Sequence, residues 1–303
     1  MKEKHTVKPI EKCTVGIAGL GLMGGAFALA LRQGLSGQTS GPEKQAGPER
    51  IFAYDRDEGV LKTALGRGVV DEMFTEPKAM LGHCDFVILC LNPSALVDFI
   101  ETYGAFFKSG ALVTDIAGIK GSVCAAAERL LRSREDLDFI PGHPMAGSEK
   151  KGMVNAGMVN FTGKNYILTP LKRNKPENLV FLKSLIHRMG FGRITETSAA
   201  DHDDKIAFTS QLCHVIAASL IDCEPDTEIT RYGGGSFEDL TRIAMLNAPM
   251  WAEIFLENSE RLLGRIVRFE QSLDEIKALI AAGRGPELEA RLAAVRDRRQ
   301  AMG

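Results

Sequence analysis

The chain has 303 residues, 45% hydrophobic and 25% charged, and a net charge of −2. That length buries enough apolar surface to fold without staples and suits one large or two ordinary domains. The balanced charge lacks the clustered Lys and Arg that a polyanion partner needs, so no nucleic acid is expected. No apolar run approaches the roughly 18 residues of a membrane span, so no membrane partner is expected.

Met1–Lys12 is charged and has no apolar stretch of the kind a signal peptide carries. The six cysteines are scattered and form no CxxC pair. They read as free thiols of a reducing compartment, and a cytoplasmic protein is expected. No carboxylate or cysteine cluster has ligand spacing, so no metal is expected.

In chain order, Cys13–Ala18 reads as a strand that meets glycine at once, and Leu22–Gln33 reads as a helix of small and apolar residues. Ser36–Glu49, rich in Gly, Ser, Pro and Gln, reads as a mobile surface loop. Ile51–Tyr54 resumes as a strand that ends at Asp55. Strands at Phe86–Leu91, Ala111–Thr114 and Asp138–Ile140 then alternate with helices at Ser94–Phe107 and Ile119–Leu131. Strands apolar on both faces and separated by helices predict a doubly wound parallel α/β sheet of Rossmann type. Strand Asn165–Thr169, helix Pro176–Met189 and strand Arg193–Thr195 read as an appendage on it.

Beyond Thr197 only helices are predicted: Ser198–Cys223, Phe237–Leu246, Pro249–Ser272 and Leu273–Arg299. The expected division is a dinucleotide-binding domain over 1–197 and an all-helical substrate and dimerisation domain over 198–303. The long amphipathic helices suggest pairing with a second subunit.

Gly19, Gly21 and Gly24 follow a strand and open a helix, the spacing of a dinucleotide-binding turn. Together with Leu20, Leu22 and Met23 they would present backbone N–H groups to a pyrophosphate. The acid expected about 20 residues on is Asp55, which lies 36 residues beyond Gly19 because the 14-residue stretch 36–49 intervenes. A carboxylate there accepts from a ribose and repels a 2′-phosphate, which favours NAD over NADP. The neighbouring Arg56 could accommodate that phosphate instead. Leu91, Pro93 and Asp115, at the ends of later strands, complete the expected cofactor lining.

His143 follows the strand at Ile140, held between Gly142 and Pro144, where ligands bind in open α/β sheets. It is a candidate base near neutral pH, or else a loop histidine. His202, Ser210 and His214 share an i, i+4 register and would line one helix face towards a cleft. Arg242 follows Asp239 by three residues and Glu238 by four. The pattern is either a solvated ion pair or an arginine held ready for a substrate carboxylate.

These segments resemble the prephenate/arogenate dehydrogenase family of tyrosine biosynthesis from about Lys12 to the C-terminus. The resemblance is carried by GLGLMGG (19–25), VTDIAGIK (113–120), GHPMAGSEKKG (142–152), Asp201-His202-Asp203, SQLCH (210–214), GGGSFEDLTRIA (233–244), Trp251 and FLEN (255–258). It implies a Rossmann domain, a helical dimerisation domain in a homodimer, and NAD-dependent oxidative decarboxylation of prephenate to 4-hydroxyphenylpyruvate.

By similarity His143 is the base, Arg242 binds a substrate carboxylate, and Ser210 and His214 help hold the substrate in a catalytic cleft. His202 and Asp239 are expected beside the substrate, and Glu149 on a loop that closes over it. The family usually has Ser where this chain has Gly118, and that hydroxyl assists the catalytic His. Any tyrosine feedback would have to act at the active site itself. Alternatives are an arogenate dehydrogenase, a β-hydroxyacid dehydrogenase lacking its usual helical Lys–Asn pair, and a non-catalytic NAD-binding sensor.

Overall fold

The computed structural model describes residues 7–33, 47–147 and 150–302. The N-terminal half alternates β1 (Thr14–Ala18), α1 (Leu22–Arg32), β2 (Arg50–Tyr54), α2 (Glu58–Gly66), β3 (Glu72–Phe74), α3 (Pro77–Leu81), β4 (Phe86–Leu89), α4 (Pro93–Tyr103), β5 (Leu112–Asp115), α5 (Gly121–Ser133) and β6 (Asp138–Ile140). The six strands form one parallel sheet in the order β3-β2-β1-β4-β5-β6. The order reverses beside β1, where a doubly wound sheet opens a crevice for a ligand.

Alternate residues of each strand feed two cores. Val15, Ile17, Ile51 and Ile88 pack on one face, and Ala18, Phe52, Val87 and Leu89 on the other. Burial on both faces is why these strands read as unbroken apolar runs.

A smaller three-stranded sheet follows, with β7 (Gly142–Pro144) antiparallel to β8 (Asn165–Leu168) and β8 parallel to β9 (Arg193–Glu196). The helix α6 (Pro176–Arg188) links β8 to β9. β7 was expected as loop. It is too short to show a period of two, and it is held by pairing with β8 through His143 opposite Ile167. α2, β3 and α3 were also unassigned in the sequence, being short elements with little periodicity.

Past Glu196 every described element is helical: α7 (Ala199–Ile206), α8 (Cys213–Asp222), α9 (Gly235–Thr241), α10 (Ala248–Glu257), α11 (Ser259–Ala281) and α12 (Gly285–Ala301). A π-helical turn at Ala207–Leu212 joins α7 to α8. The last helices break at different places from those expected. The buried side chain of Asn258 donates to Asp203 O at 2.8 Å and to Gln211 Oε1 at 2.9 Å, which fixes a break between α10 and α11. Gly283, at φ +62, ends α11 in the left-handed conformation that glycine adopts without strain. Leu273 lies inside α11 rather than at a boundary.

The six cysteines are unpaired thiols, and burial pushes Cys13 and Cys84 up to about 12. No described helix is long and apolar enough to cross a membrane. The 36–49 stretch falls, as far as residue 46, outside the described residues, and so does Glu149.

Candidate active site

The glycine turn sits between β1 and α1 and leaves room for a ligand. Gly19 has φ +92, and a Cβ on it would lie 2.4 Å from Cys90 O. A Cβ on Gly24 would lie 1.9 Å from Gly19 O, so only glycine lets α1 approach the turn this closely. At Gly21 a Cβ would meet nothing within 4 Å, so the turn is open on its outer side. The unpaired N–H groups of the first turn of α1, from Leu22 to Gly24, lie beside that opening. This shape and polarity fit a dinucleotide pyrophosphate.

Asp55 closes the turn from the end of β2. Its Oδ2 accepts the Leu20 N–H at 2.7 Å and its Oδ1 accepts the Asp57 N–H at 2.9 Å. The carboxylate is thus fixed at the edge of the crevice, half-buried, where a ribose would lie, while Arg56 is exposed. Leu91 is half-buried, and Pro93 is buried at the first turn of α4.

Asp115 departs from the expected cofactor contact. Its side chain is fully buried against the Lys120 ammonium, which is fully buried as well. It also accepts the Ala117 N–H at 2.8 Å and the Gly142 N–H at 3.2 Å. These contacts make the aspartate a holder of the β5–α5 turn and β7, and its side chain has no exposed surface. Lys120 lay in the VTDIAGIK segment, but a buried lysine has no sequence signal of its own.

β7 carries His143 to the seam between the two halves. Its Nδ1 is 2.9 Å from His202 Nε2, and His202 Nδ1 is 2.7 Å from Asp203 Oδ1. Asp203 also accepts the Lys120 N–H at 2.9 Å and the Gly121 N–H at 2.8 Å, so it caps the start of α5. Burial would raise the Asp203 pKa, but these hydrogen bonds from His202 and the backbone outweigh it and hold the carboxyl ionised. Burial pushes the His143 imidazole well below its ordinary range, and the neighbouring His202 and Lys120 push it the same way. The neutral ring can therefore accept a proton at neutral pH.

His143 Nε2 faces the backbone of Gly118. A Cβ at 118 would lie 3.8 Å from Nε2 and 3.9 Å from Ile254 Cδ1. Gly118 thus leaves a gap of about one small group beside the nitrogen that is open for chemistry.

His202 departs from its expected place beside the substrate. It is 1% exposed, and both ring nitrogens are occupied by protein groups. The π-helical turn at Ala207–Leu212 adds a residue to the repeat, so His202, Ser210 and His214 do not form one continuous stripe. His214 Nδ1 donates to Ser210 O at 2.9 Å. Since a carbonyl can only accept, Nδ1 carries the hydrogen.

The His214 ring stacks on Trp251, with centroids 3.7 Å apart and planes at 29°. Burial lowers its pKa, and the nearby Arg242 charge adds to that. Arg242 is exposed at the start of a 3₁₀ turn that follows α9, and Asp239 is exposed on α9.

Two further contacts hold the halves together at this seam. Glu253 on α10 accepts the Ser94 N–H at 2.6 Å at the start of α4, and Ser122 donates to Glu257 at 2.9 Å. Asp203, Gln211, Glu257 and Asn258 stood in the sequence only as members of the resembling segments, with no role assigned, and Glu253 was not singled out. Their neighbours across the seam are distant in the chain, so spacing could not reveal them.

Comparison with known proteins agrees along most of the chain. The nucleotide-binding domain of prephenate dehydrogenase matches residues 42–195, and the prephenate dehydrogenase dimerization domain matches 198–294. Prephenate dehydrogenase of Bacillus subtilis is 30% identical over 275 residues, covering 89% of this chain and 70% of that protein.

Among solved structures, prephenate dehydrogenase from A. aeolicus in complex with hydroxyphenyl propionate and NAD+ superposes with a TM-score of 0.80 at 31% identity. That match covers 98% of this chain and 100% of the other. Synechocystis arogenate dehydrogenase gives 0.75 at 26% identity, covering 96% and 100%. The glycine turn, the buried histidine seam and these matches together make the chain a member of the prephenate dehydrogenase family.

Proposed function

We propose that the chain is a cytoplasmic, NAD-dependent prephenate dehydrogenase that forms 4-hydroxyphenylpyruvate by oxidative decarboxylation. It works as a homodimer, with protomers divided into a dinucleotide-binding domain (1–197) and a helical domain (198–303). The observation that carries this reading is His143: neutral by burial, tethered at Nδ1, and open at Nε2, in a chain of this family.

The Gly19–Gly24 turn binds the pyrophosphate through backbone N–H groups, and Asp55 takes the ribose and disfavours a 2′-phosphate. Bound NAD⁺ supplies the hydride acceptor. His143 Nε2 accepts the hydrogen bond of the ring hydroxyl and then its proton. Hydride leaves the same ring carbon, the bond to the ring carboxylate breaks as CO₂ departs, and the ring aromatises.

Arg242 binds a carboxylate of the substrate, and Ser210 with the His214–Trp251 stack forms a wall of the cleft. Glu149, outside the described residues, is assigned to the substrate by the family resemblance alone, and Asp239 lies three residues before Arg242. Because aromatisation drives the reaction, the protein acts mainly by positioning. Gly118 supplies no hydroxyl where the family usually has Ser, so His143 depends on its other partner for orientation.

Arogenate is the second reading, supported by the likeness to the Synechocystis enzyme. The two substrates differ by a keto or an amino group on the side chain. Purified protein assayed side by side with prephenate and arogenate, each with NAD⁺ and NADP⁺, tests both. NADH formation with prephenate is expected. Preference for arogenate would replace the substrate, equal use of NADP⁺ would contradict the Asp55 argument, and no turnover with either substrate would remove the enzyme.

A further inference from the structure

We propose that Asp203 and His202 are positioning residues that fix the tautomer of His143, so that its Nε2 bears the lone pair the reaction needs. The proposal rests on the reading of His143 as the base. The argument starts from groups whose hydrogens are not in doubt. The Lys120 and Gly121 N–H groups can only donate, and both point at the Asp203 carboxylate. An ionised carboxylate only accepts, so the 2.7 Å contact to His202 requires a hydrogen on His202 Nδ1.

In a neutral imidazole the other nitrogen is then an acceptor. His202 Nε2 lies 2.9 Å from His143 Nδ1, so that contact requires a hydrogen on His143 Nδ1. The lone pair of the neutral His143 ring is left on Nε2, facing Gly118. With the chain running the other way, Nε2 would carry a hydrogen and could not accept a proton.

The chain crosses the seam. Asp203 and His202 belong to α7, whereas His143 and the capped start of α5 belong to the sheet half. Docking of the two halves therefore sets the base. The charged groups packed around the ring are Lys120, whose ammonium pairs with Asp115, and Asp203 behind His202. Asn258 holds α7 in register by donating to the Asp203 carbonyl at 2.8 Å. The absence of a side chain at Gly118 leaves this chain of hydrogen bonds as the support for the orientation of His143.

The test uses the full-length protein labelled with ¹⁵N-histidine and studied by NMR above the ordinary imidazole range. The His143 signals are assigned by their loss in His143→Asn. The expected result is a protonated Nδ1 and an unprotonated Nε2 in both His143 and His202. A protonated Nε2 on His143 would overturn the proposal whether or not the protein turns over prephenate.

Kinetics supplies the second arm. His202→Leu is expected to lower kcat about 10²-fold with KM little changed. His202→Gln, whose amide oxygen can accept from His143 Nδ1, is expected to recover part of that loss. Equal kcat in wild type and His202→Leu would overturn the proposal, as would a His202→Gln variant no better than His202→Leu. Should Asp203→Asn fail to fold because α5 loses its cap, the wild-type spectrum and the His202 pair still decide it.

Discussion

The two halves of the chain treat apolar residues in opposite ways. In the sheet half the strands bury almost every Val, Ile and Leu on one face or the other. Beyond Thr197 the described buried apolar residues are Ile206, Ala207, Leu212, Ala217, Ile254 and Leu262. Leu256, Leu263 and Ile280 are 74%, 60% and 62% exposed. A half that leaves large apolar residues outside is one built to be covered by something else. The first half buries its own apolar residues and carries the glycine turn and His143, while the second half matches a dimerization domain and leaves apolar residues exposed in the protomer.

The largest expected effect lies in the first half. His143→Asn should lower kcat by roughly 10²–10⁴-fold with little change in KM, measured by steady-state kinetics. Arg242→Ala, in the second half, should instead raise KM. A charge-assisted hydrogen bond worth about 1.5–3 kcal/mol corresponds to a change of roughly 10–150-fold. If Arg242→Ala lowers kcat alone, the division of labour between the halves is wrong.

The assembly surface is tested by placing charge on α11. Leu263 and Val267 lie one turn apart and are exposed in the protomer. The double substitution Leu263→Glu with Val267→Glu should weaken the dimer by about 10²-fold or more, read by sedimentation. Val180→Glu, at an exposed position of α6 in the first half, should leave the dimer intact. Equal dissociation by both would erase the contrast.

Acidity should affect the seam next. Burial lowers the pKa of both His143 and His202, against a hydrogen bond from Asp203 that raises the latter. Below the ordinary imidazole value of about 6.5 the unfolded chain takes up protons that the folded one resists. The stability these groups contribute is therefore fully present above that pH and falls as pH drops below it. For the same reason the acid limb of kcat/KM should lie below about 6.5. An acid limb at or above that value would contradict a base buried as described.

The smallest effect belongs to Gly118→Ser. The site has ordinary van der Waals space for the added Cβ, so folding should be unaffected. One extra hydrogen bond from the serine hydroxyl to the substrate's ring oxygen as its proton passes to Nε2, worth about 1 kcal/mol, would raise kcat roughly five-fold. An unchanged kcat would mean that the hydroxyl adds nothing that His202 does not already provide.

Much of this was legible in the sequence, for reasons that differ by region. Strands β1, β4 and β5 are buried on both faces, so their residues read as apolar runs, and Gly19 and Gly24 are dictated by backbone contact. Asp55 could be found past the inserted stretch because a strand end marks it. What could not be read was long-range. Asp115 was expected as a cofactor contact but pairs with the buried Lys120, and His202 was expected beside the substrate but has both nitrogens taken by Asp203 and His143. The helix break at Asn258 is set by Gln211 and Asp203, which local periodicity cannot register.

The central claim is that this site couples hydride transfer to loss of CO₂. The direct measurement is the yield of NADH and of CO₂ from a known amount of prephenate with purified protein and NAD⁺. The account predicts equal amounts of the two and the same ratio, at a much lower rate, for His143→Asn. NADH without CO₂, or neither product, would contradict it.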